Sequence, residues 1–355
     1  MDDRDFDVDL PDEVIYFLRY FKEMIEEQSV TEILGLYEHG FTELTEKFFS
    51  EKMWPEDKIV EKVVGTDNDI FIILYKELYY RDLYTRMQRG PSLIHRYESY
   101  MNYSKLFSEI LRTKEVNDKT VPNEPIALQL PNIWLWDIID EFVYQFQAFC
   151  LYKANPSKRS AEEIEDLIEL EQTQNAWNIY PVLNILYSLL TKSQINEQLK
   201  AIREGGNPDD VADEFGRSDL YFKLGYFSLI GLLRTHVLLG DYHQALQTVE
   251  YLDMDPKGLH NQVPSCLVTL HYFVGFSHMI GKTNEQLYHL LTICLTLQPQ
   301  RIDDSIQTQL QDKFSERMFR MANGDIDEFR SAFQQGCPKF LSPTTVVYEG
   351  ANIAK

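Results

Sequence analysis

Apolar residues recur at intervals of three and four along nearly the whole chain, while alternating runs bounded by turn residues, the mark of strands, are almost absent. This spacing predicts an all-α fold. The segment opening at Pro11 places Val14, Phe17, Leu18, Phe21 and Ile25 on one helical face, and Ser29 with Glu32 predicts a capping box for the next helix. Over 69–87, Phe71, Leu74, Leu78 and Met87 mark one face and Ile70, Ile73 and Tyr84 widen it, which predicts burial on more than one side. Gly90 and Pro91 then break the chain before a helix carrying Leu93, Tyr97, Tyr100 and Leu106, with the proline in its first turn, giving a helical hairpin.

Three breaks organise the rest. Residues 115–130, with Asn117, Asp118, Pro122, Asn123 and Pro125, read as a surface loop, and 155–160 as a second break. Gly205, Gly206, Asn207 and Pro208 form the third, and a sub-region boundary is placed there: 1–204 as an N-terminal helical region, 205–343 as a helical-repeat region and 344–355 as a C-terminal tail. The stretch 220–239, the turn at Gly240 and Asp241, and Tyr242, Ala245, Leu246 and Val249 up to Asp255 and Pro256 resemble a tetratricopeptide-like hairpin, although the usual first-helix residues are poorly kept. One hairpin cannot hide its apolar faces. Stacking on neighbours gives a solenoid with long surfaces for protein partners.

With 355 residues the chain exceeds what one hydrophobic core usually serves, so two helical sub-regions are expected. A formal net charge of −22 disfavours autonomous binding of a phosphate backbone, and the one basic pair, Lys158 and Arg159, leads into the acidic run Glu162, Glu163, Glu165, Asp166 and Glu169. The acidic start, Met1, Asp2, Asp3, Arg4, Asp5 and Asp7, has neither the apolar centre of a signal peptide nor the character of a transit peptide, so a cytosolic protein is expected. No apolar run approaches the roughly 20 residues of a membrane helix; even 220–239 is interrupted by Lys223, Arg234 and His236. Cys150, Cys266, Cys294 and Cys337 show no paired short spacing and read as reduced thiols, with Cys150 and Cys294 as small core hydrophobes.

Four constellations could carry chemistry. Gly281, Lys282 and Thr283 resemble the end of a phosphate-binding loop, but five residues separate Gly275 from Gly281 where that motif has four, and the preceding segment reads as helix; a helix end followed by a Thr283 cap with Gln286 is the plainer reading. His236 with His243, and His271 with His278, are seven apart, roughly 10 Å along a helix and too far to share one ion. Asp137, Asp140 and Glu141 could pair as acid and base, but they alternate with an apolar helical stripe and no oxyanion donor accompanies them. Trp134 and Trp136 sit among apolar and acidic residues and read as core. No catalytic, cofactor-binding or metal-ligating residue is expected. A helical enzyme with an unrecognised carboxylate site would instead show buried acids of raised pKa facing a cleft.

Several long strings resemble the subunit L family of eukaryotic translation initiation factor 3: 69–86 (DIFIILYKELYYRDLYTR), 130–147 (LPNIWLWDIIDEFVYQFQ) and 220–246 (LYFKLGYFSLIGLLRTHVLLGDYHQAL), with 53–57 (MWPED), 299–305 (PQRIDDS) and 337–343 (CPKFLSP) in the family's order. The resemblance implies a helical-repeat arm leading into a PCI module, no active site, and a cytoplasmic scaffold that packs with sister subunits, notably K and E, on the small ribosomal subunit. It further implies support of preinitiation complex assembly and mRNA recruitment, any RNA contact being weak or made jointly, with no membrane and no cofactor. A PCI scaffold of the proteasome lid or the signalosome shares the architecture and is the alternative. Two departures stand out. A segment is missing where Gly281 and Lys282 run directly into 284–297, and the chain stops soon after Pro343, where the family continues into a winged-helix half. The first departure predicts a repacked or misfolded junction, with the apolar face of Tyr272, Phe273 and Phe276 exposed unless the helix from Asn284 slides into the vacancy.

Overall fold

A computed structural model describes residues 10–65, 69–87, 90–112, 124–173, 176–254 and 258–336, which contain helices and no strand. The helices are α1 (Asp12–Glu26), α2 (Val30–Gly35), α3 (Phe41–Phe48), α4 (Asp57–Val64), α5 (Asp69–Arg86), α6 (Leu93–Leu111), α7 (Asn132–Ala154), α8 (Ala161–Thr173), α9 (Ile179–Ser193), α10 (Ile195–Arg203), α11 (Asp219–Leu238), α12 (Tyr242–Thr248), α13 (Pro264–Leu297), α14 (Asp304–Ala322) and α15 (Ile326–Gly336). A π-helical turn, Leu36–Gly40, joins α2 to α3. The fold is an all-α solenoid of packed helix pairs, divided into two compact units, one up to Tyr272 and one from Phe273. The break at 205–208 lies inside the first unit.

The centre of the first unit is α11, with fifteen of its twenty residues buried against α7, α9 and α12. Its approach to the neighbouring elements is set by two glycines. A Cβ on Gly225 would stand 2.0 Å from Ser193 Oγ and 2.7 Å from Ser193 Cβ, and one on Gly231 would stand 2.9 Å from Ile139 Cγ2. The turn to α12 follows from local chemistry: Gly240 takes a left-handed φ of 81°, its N–H bonds the Val237 carbonyl, and the Asp241 N–H bonds the His236 carbonyl, which closes the helix end. Asp241 then caps α12 by accepting from Gln244 N at 3.1 Å, and Ala245 is fully buried in the pair, as its small size predicts. Asp255 and Pro256 lie outside the described residues.

At the N-terminal end, α1 buries Val14, Phe17, Leu18, Phe21, Met24 and Ile25. Trp54 stacks on Phe41 and on Phe49, both at 4.4 Å between centroids, and donates to Thr45 Oγ1. The broad face predicted for 69–87 is present, since α5 buries Phe71, Ile72, Ile73, Leu74, Tyr75, Leu78, Tyr80 and Leu83.

Several local expectations are corrected. Ser29 occupies the position before α2, but its side chain makes no capping bond. Pro91 lies outside α6, whose cap is Ser92, accepting from His95 N. The buried face of α6 runs through Arg96, Ser99, Asn102, Tyr103, Leu106, Phe107 and Ile110, not through Leu93, Tyr97 and Tyr100, because polar groups on that face find buried partners: Ser99 donates to Gln145 and Asn102 to the Ile73 carbonyl. Within the predicted surface loop, Leu128 and Leu130 are buried, and Tyr221 holds the strap by donating to the Ile110 carbonyl and accepting from Ile126 N.

In the second unit, Asp303 caps α14, Gly324 with φ 87° turns the chain into α15, and Arg317 of α14 pairs with Glu328 of α15 at 2.7 Å. The predicted helix end at Gly281 is absent. Helix α13 runs unbroken through it, and the Thr283 hydroxyl bonds back to the Met279 carbonyl instead of capping a new helix.

Candidate functional site

The most charged constellation in the interior is built on α7 and on the helices around it. Trp134 and Trp136 are core residues, 0% and 1% exposed. The carboxylates that follow them turn toward cations of other helices or, for Glu141, toward an amide of α7 itself. Asp140 accepts from Arg234 of α11 at 2.5 Å. Asp137 accepts from the Tyr37 hydroxyl and lies 3.4 Å from Arg81 of α5. Arg81 reaches Tyr37 as well, and pairs with Glu77 one turn earlier on its own helix. Glu77 is 1% exposed and also accepts from Trp134 Nε1 at 3.0 Å and from the Tyr103 hydroxyl at 3.3 Å. The Tyr37 ring stacks on Trp134, with centroids 5.0 Å apart.

Burial pushes the Asp137 carboxyl up against the opposing pull of Arg81, and burial pushes Tyr37 up as well. Glu141, which accepts from Gln145, is raised by burial to about 7. Buried acids of raised pKa are therefore present, as a carboxylate enzyme requires, but Asp137 and Asp140 are engaged by arginines. Two open cavities among the described residues, of about 600 Å³ and about 470 Å³, include none of these acids in their walls. The arrangement clamps the π turn, α5, α6 and α7 to one another, and a second clamp joins α7 to α11. Glu77, Arg81 and Tyr37 were missed at the level of sequence. The available signal was a Glu–Arg pair four residues apart inside a helix too apolar to have a solvent face.

A raised acid makes a pH prediction. Glu141 has an ordinary value of 4.5 and a folded value of about 7, so the folded state holds its proton more tightly. Stability from this group is complete below pH 4.5 and is lost as pH rises through 7. Glu141→Gln keeps an acceptor for Gln145 and removes the cost, on the order of 2–3 kcal/mol. In urea unfolding the variant should exceed the parent at pH 8 and match it at pH 4; an equal difference at both values would contradict the assignment.

The remaining candidates separate. His236 is buried and bonded through Nε2 to the Tyr187 hydroxyl at 2.7 Å, with its basicity lowered by burial. His271 bonds its own helix, to the Leu267 carbonyl. Among the described residues no cluster of three or more His, Cys, Asp or Glu side chains is placed to hold a metal. Gly281, Lys282 and Thr283 lie within α13, where helical backbone offers no amide cradle.

Two thiols overturn the expectation: Cys150 and Cys294, read as core, are exposed, because the apolar runs containing them turn those positions outward, while Cys266 is buried. Cys337 lies outside the described residues. Iodoacetamide on the native chain should label Cys294 first, Cys150 more slowly because burial pushes its thiol up, and Cys266 only after unfolding, read by peptide mass spectrometry. Early labelling of Cys266, whose thiol is pushed up by burial, would contradict the packing of α13.

The family model described as RNA polymerase I-associated factor PAF67 matches residues 95–281 and 277–355. Proteins called eukaryotic translation initiation factor 3 subunit L are similar over most of the chain: that of Brugia malayi is 64% identical, covering 98% of this chain and 70% of its own, and that of Caenorhabditis elegans 62%, with the same coverage. That of Danio rerio is 42% identical, covering 97% and 67%. The chain belongs to the eukaryotic translation initiation factor 3 subunit L family. The subunit L resemblance drawn from the strings at 69–86, 130–147 and 220–246 thus stands. Those strings form α5, most of α7, and the α11–α12 pair, the elements that carry the two clamps. The chain spans about 70% of the length of the first two relatives, and the two family matches overlap at 277–281, inside α13.

Proposed function

We propose that the chain is a non-catalytic scaffold subunit of eukaryotic translation initiation factor 3, supporting preinitiation complex assembly and mRNA recruitment on the small ribosomal subunit. The observation that carries this reading is identity of 42–64% over 97–98% of the chain with relatives named as that subunit. The interior is in keeping with it: charged side chains of α5, α7 and α11 join helix to helix. Residues 205–343 form the helical-repeat region leading into a PCI module, with 1–204 as the N-terminal helical region and 344–355 as a tail. The partners are sister subunits, with K and E foremost, and the ribosomal contact is made through the complex, in the cytoplasm. Among the described residues no helix is long and apolar enough to cross a membrane.

The test is affinity purification of the tagged chain from eukaryotic extract, scored by mass spectrometry beside a full-length relative. Recovery of factor 3 subunits, K and E among them, is the expected result. Recovery of proteasome-lid or signalosome subunits instead would overturn the reading.

A further inference from the structure

The chain carries a formal net charge of −22, yet the wall of one cavity reverses that sign. The cavity lies within the second unit, has a volume of about 470 Å³, and is lined from α13, α14 and α15. Of the Lys and Arg side chains of 273–336, Lys282, Lys313 and Arg317 line it, with Glu285 as the acid on the wall. Helical spacing explains the convergence. Lys282 and His289 stand two turns apart on α13, and Lys313 and Arg317 one turn apart on α14, so each pair shares a face.

The three cations differ in what already holds them. Arg317 is fixed and offset: its Nε lies 2.7 Å from Glu328, and its Nη1 donates to Gln335 Oε1 at 2.8 Å and to His289 Nδ1 at 2.7 Å. Lys282 and Lys313 have no ion-pair partner among the described residues, and the Glu285 side chain, 70% exposed, engages neither. Two ammonium groups without a counter-charge leave a local positive potential on an acidic chain, which attracts an anion.

A buried donor adds an independent observation. His289 is 6% exposed and lines the same cavity. A guanidinium only donates, so the bond from Arg317 makes Nδ1 the acceptor and leaves the proton of the neutral ring on Nε2. Burial and the adjacent Arg317 lower the basicity of the ring, which keeps it in that form. Glu285 Oε1 lies 3.9 Å from Nε2, beyond hydrogen-bond reach. The Nε2 proton is a preset donor with no acceptor among the described residues.

We propose that this cavity receives a phosphate monoester, presented by a phosphorylated serine or threonine of a protein partner. Such a group carries about 1.5 to 2 negative charges at pH 7 and three acceptor oxygens, enough to meet both lysines and the His289 N–H. A carboxylate has a single charge and leaves one ammonium unmatched. The surroundings select the source. Asp312 and Glu316 precede Lys313 and Arg317 on α14 and repel the further phosphates of a nucleic-acid strand, whereas one modified side chain brings no more negative charge. Phe314, packed against the Tyr288 and His289 rings, adds an apolar wall that a free inorganic ion would leave unused. This inference goes beyond the scaffold reading and does not depend on it.

The probe is a neutral peptide of alanine and glycine with one phosphoserine and an uncharged fluorophore, titrated into the full chain at low salt beside its unphosphorylated form and read by anisotropy. Phosphorylation should tighten binding by at least about tenfold. Lys282→Gln with Lys313→Gln should remove the difference; both positions are exposed, and unchanged hydrogen exchange over 304–322 verifies that the variant is folded. The His289 Nε2–H signal in the spectrum of nitrogen-labelled histidine should shift with the phosphopeptide alone. Equal affinity of the two peptides, an unmoved His289 signal, or a double variant that still prefers the phosphorylated form overturns the proposal. Inorganic phosphate competing as well as the phosphopeptide would make the cavity a site for a free ion, and oligouridylate competing better through the same lysines would make it an RNA contact. Either result overturns the assignment to a protein partner.

Discussion

Replacing Glu77 by leucine will lower the free energy of hydrogen exchange in α5 and α7 by about 3–5 kcal/mol, a large part of what holds those helices closed. The reason is what remains. Glu77 is the most buried anion of the clamp, and removing it leaves the Arg81 guanidinium facing Tyr37 and a more distant Asp137, with Trp134 Nε1 and the Tyr103 hydroxyl stripped of their acceptor. Each orphaned buried donor adds to the cost. Removing the cation too, as Glu77→Leu with Arg81→Met, should recover more than half of the loss, because an apolar pair of similar volume avoids desolvating either charge. If the double variant is as unstable as the sum of the singles, the two residues do not act as a pair.

The second large effect comes from a single methyl group. Gly225→Ala should destabilise the α9–α11 contact by about 1–3 kcal/mol, since Ser193 Cβ lies too near to yield by rotation and the Ser193 hydroxyl is already committed to the Leu190 carbonyl. Exchange over 179–193 and 219–238 should accelerate, while 12–26 should not. Ser193→Gly in the same chain should restore part of the protection by clearing the atoms the methyl strikes; no recovery would mean that the damage lies elsewhere along α11.

How legible this was in sequence depended on the kind of interaction. Helix periodicity located α1 by its apolar stripe, and α5, α7 and α11 by apolar residues recurring at three- and four-residue spacing, and the Gly240–Asp241 turn was readable because its chemistry is local. The face of α6 was misplaced because the first half of its inward side, Arg96, Ser99 and Asn102, is polar. Arg96 stacks over Tyr152, with 4.6 Å to the ring centroid, while its backbone carbonyl accepts from Trp177, partners far along the chain that no local period announces. The thiols failed for a related reason: an apolar run says that a segment is buried, not which residue turns outward. The α7 carboxylates were rightly placed along a helix, but their arginine partners came from Arg81 and Arg234, which only tertiary structure brings near. At Gly281 the local stop signals predicted an end that is absent, since a helix propagates at little cost once both sides are formed.

The placement of the four tryptophans has an optical consequence. Trp54, Trp134, Trp136 and Trp177 all lie in the first unit and are at most 2% exposed. Emission will therefore begin blue-shifted and follow the melting of that unit alone, leaving everything from Phe273 onward dark. A single sharp fluorescence transition would say nothing about cooperativity across the full chain. Phe314→Trp, set against Tyr288 and His289, would give the second unit its own signal.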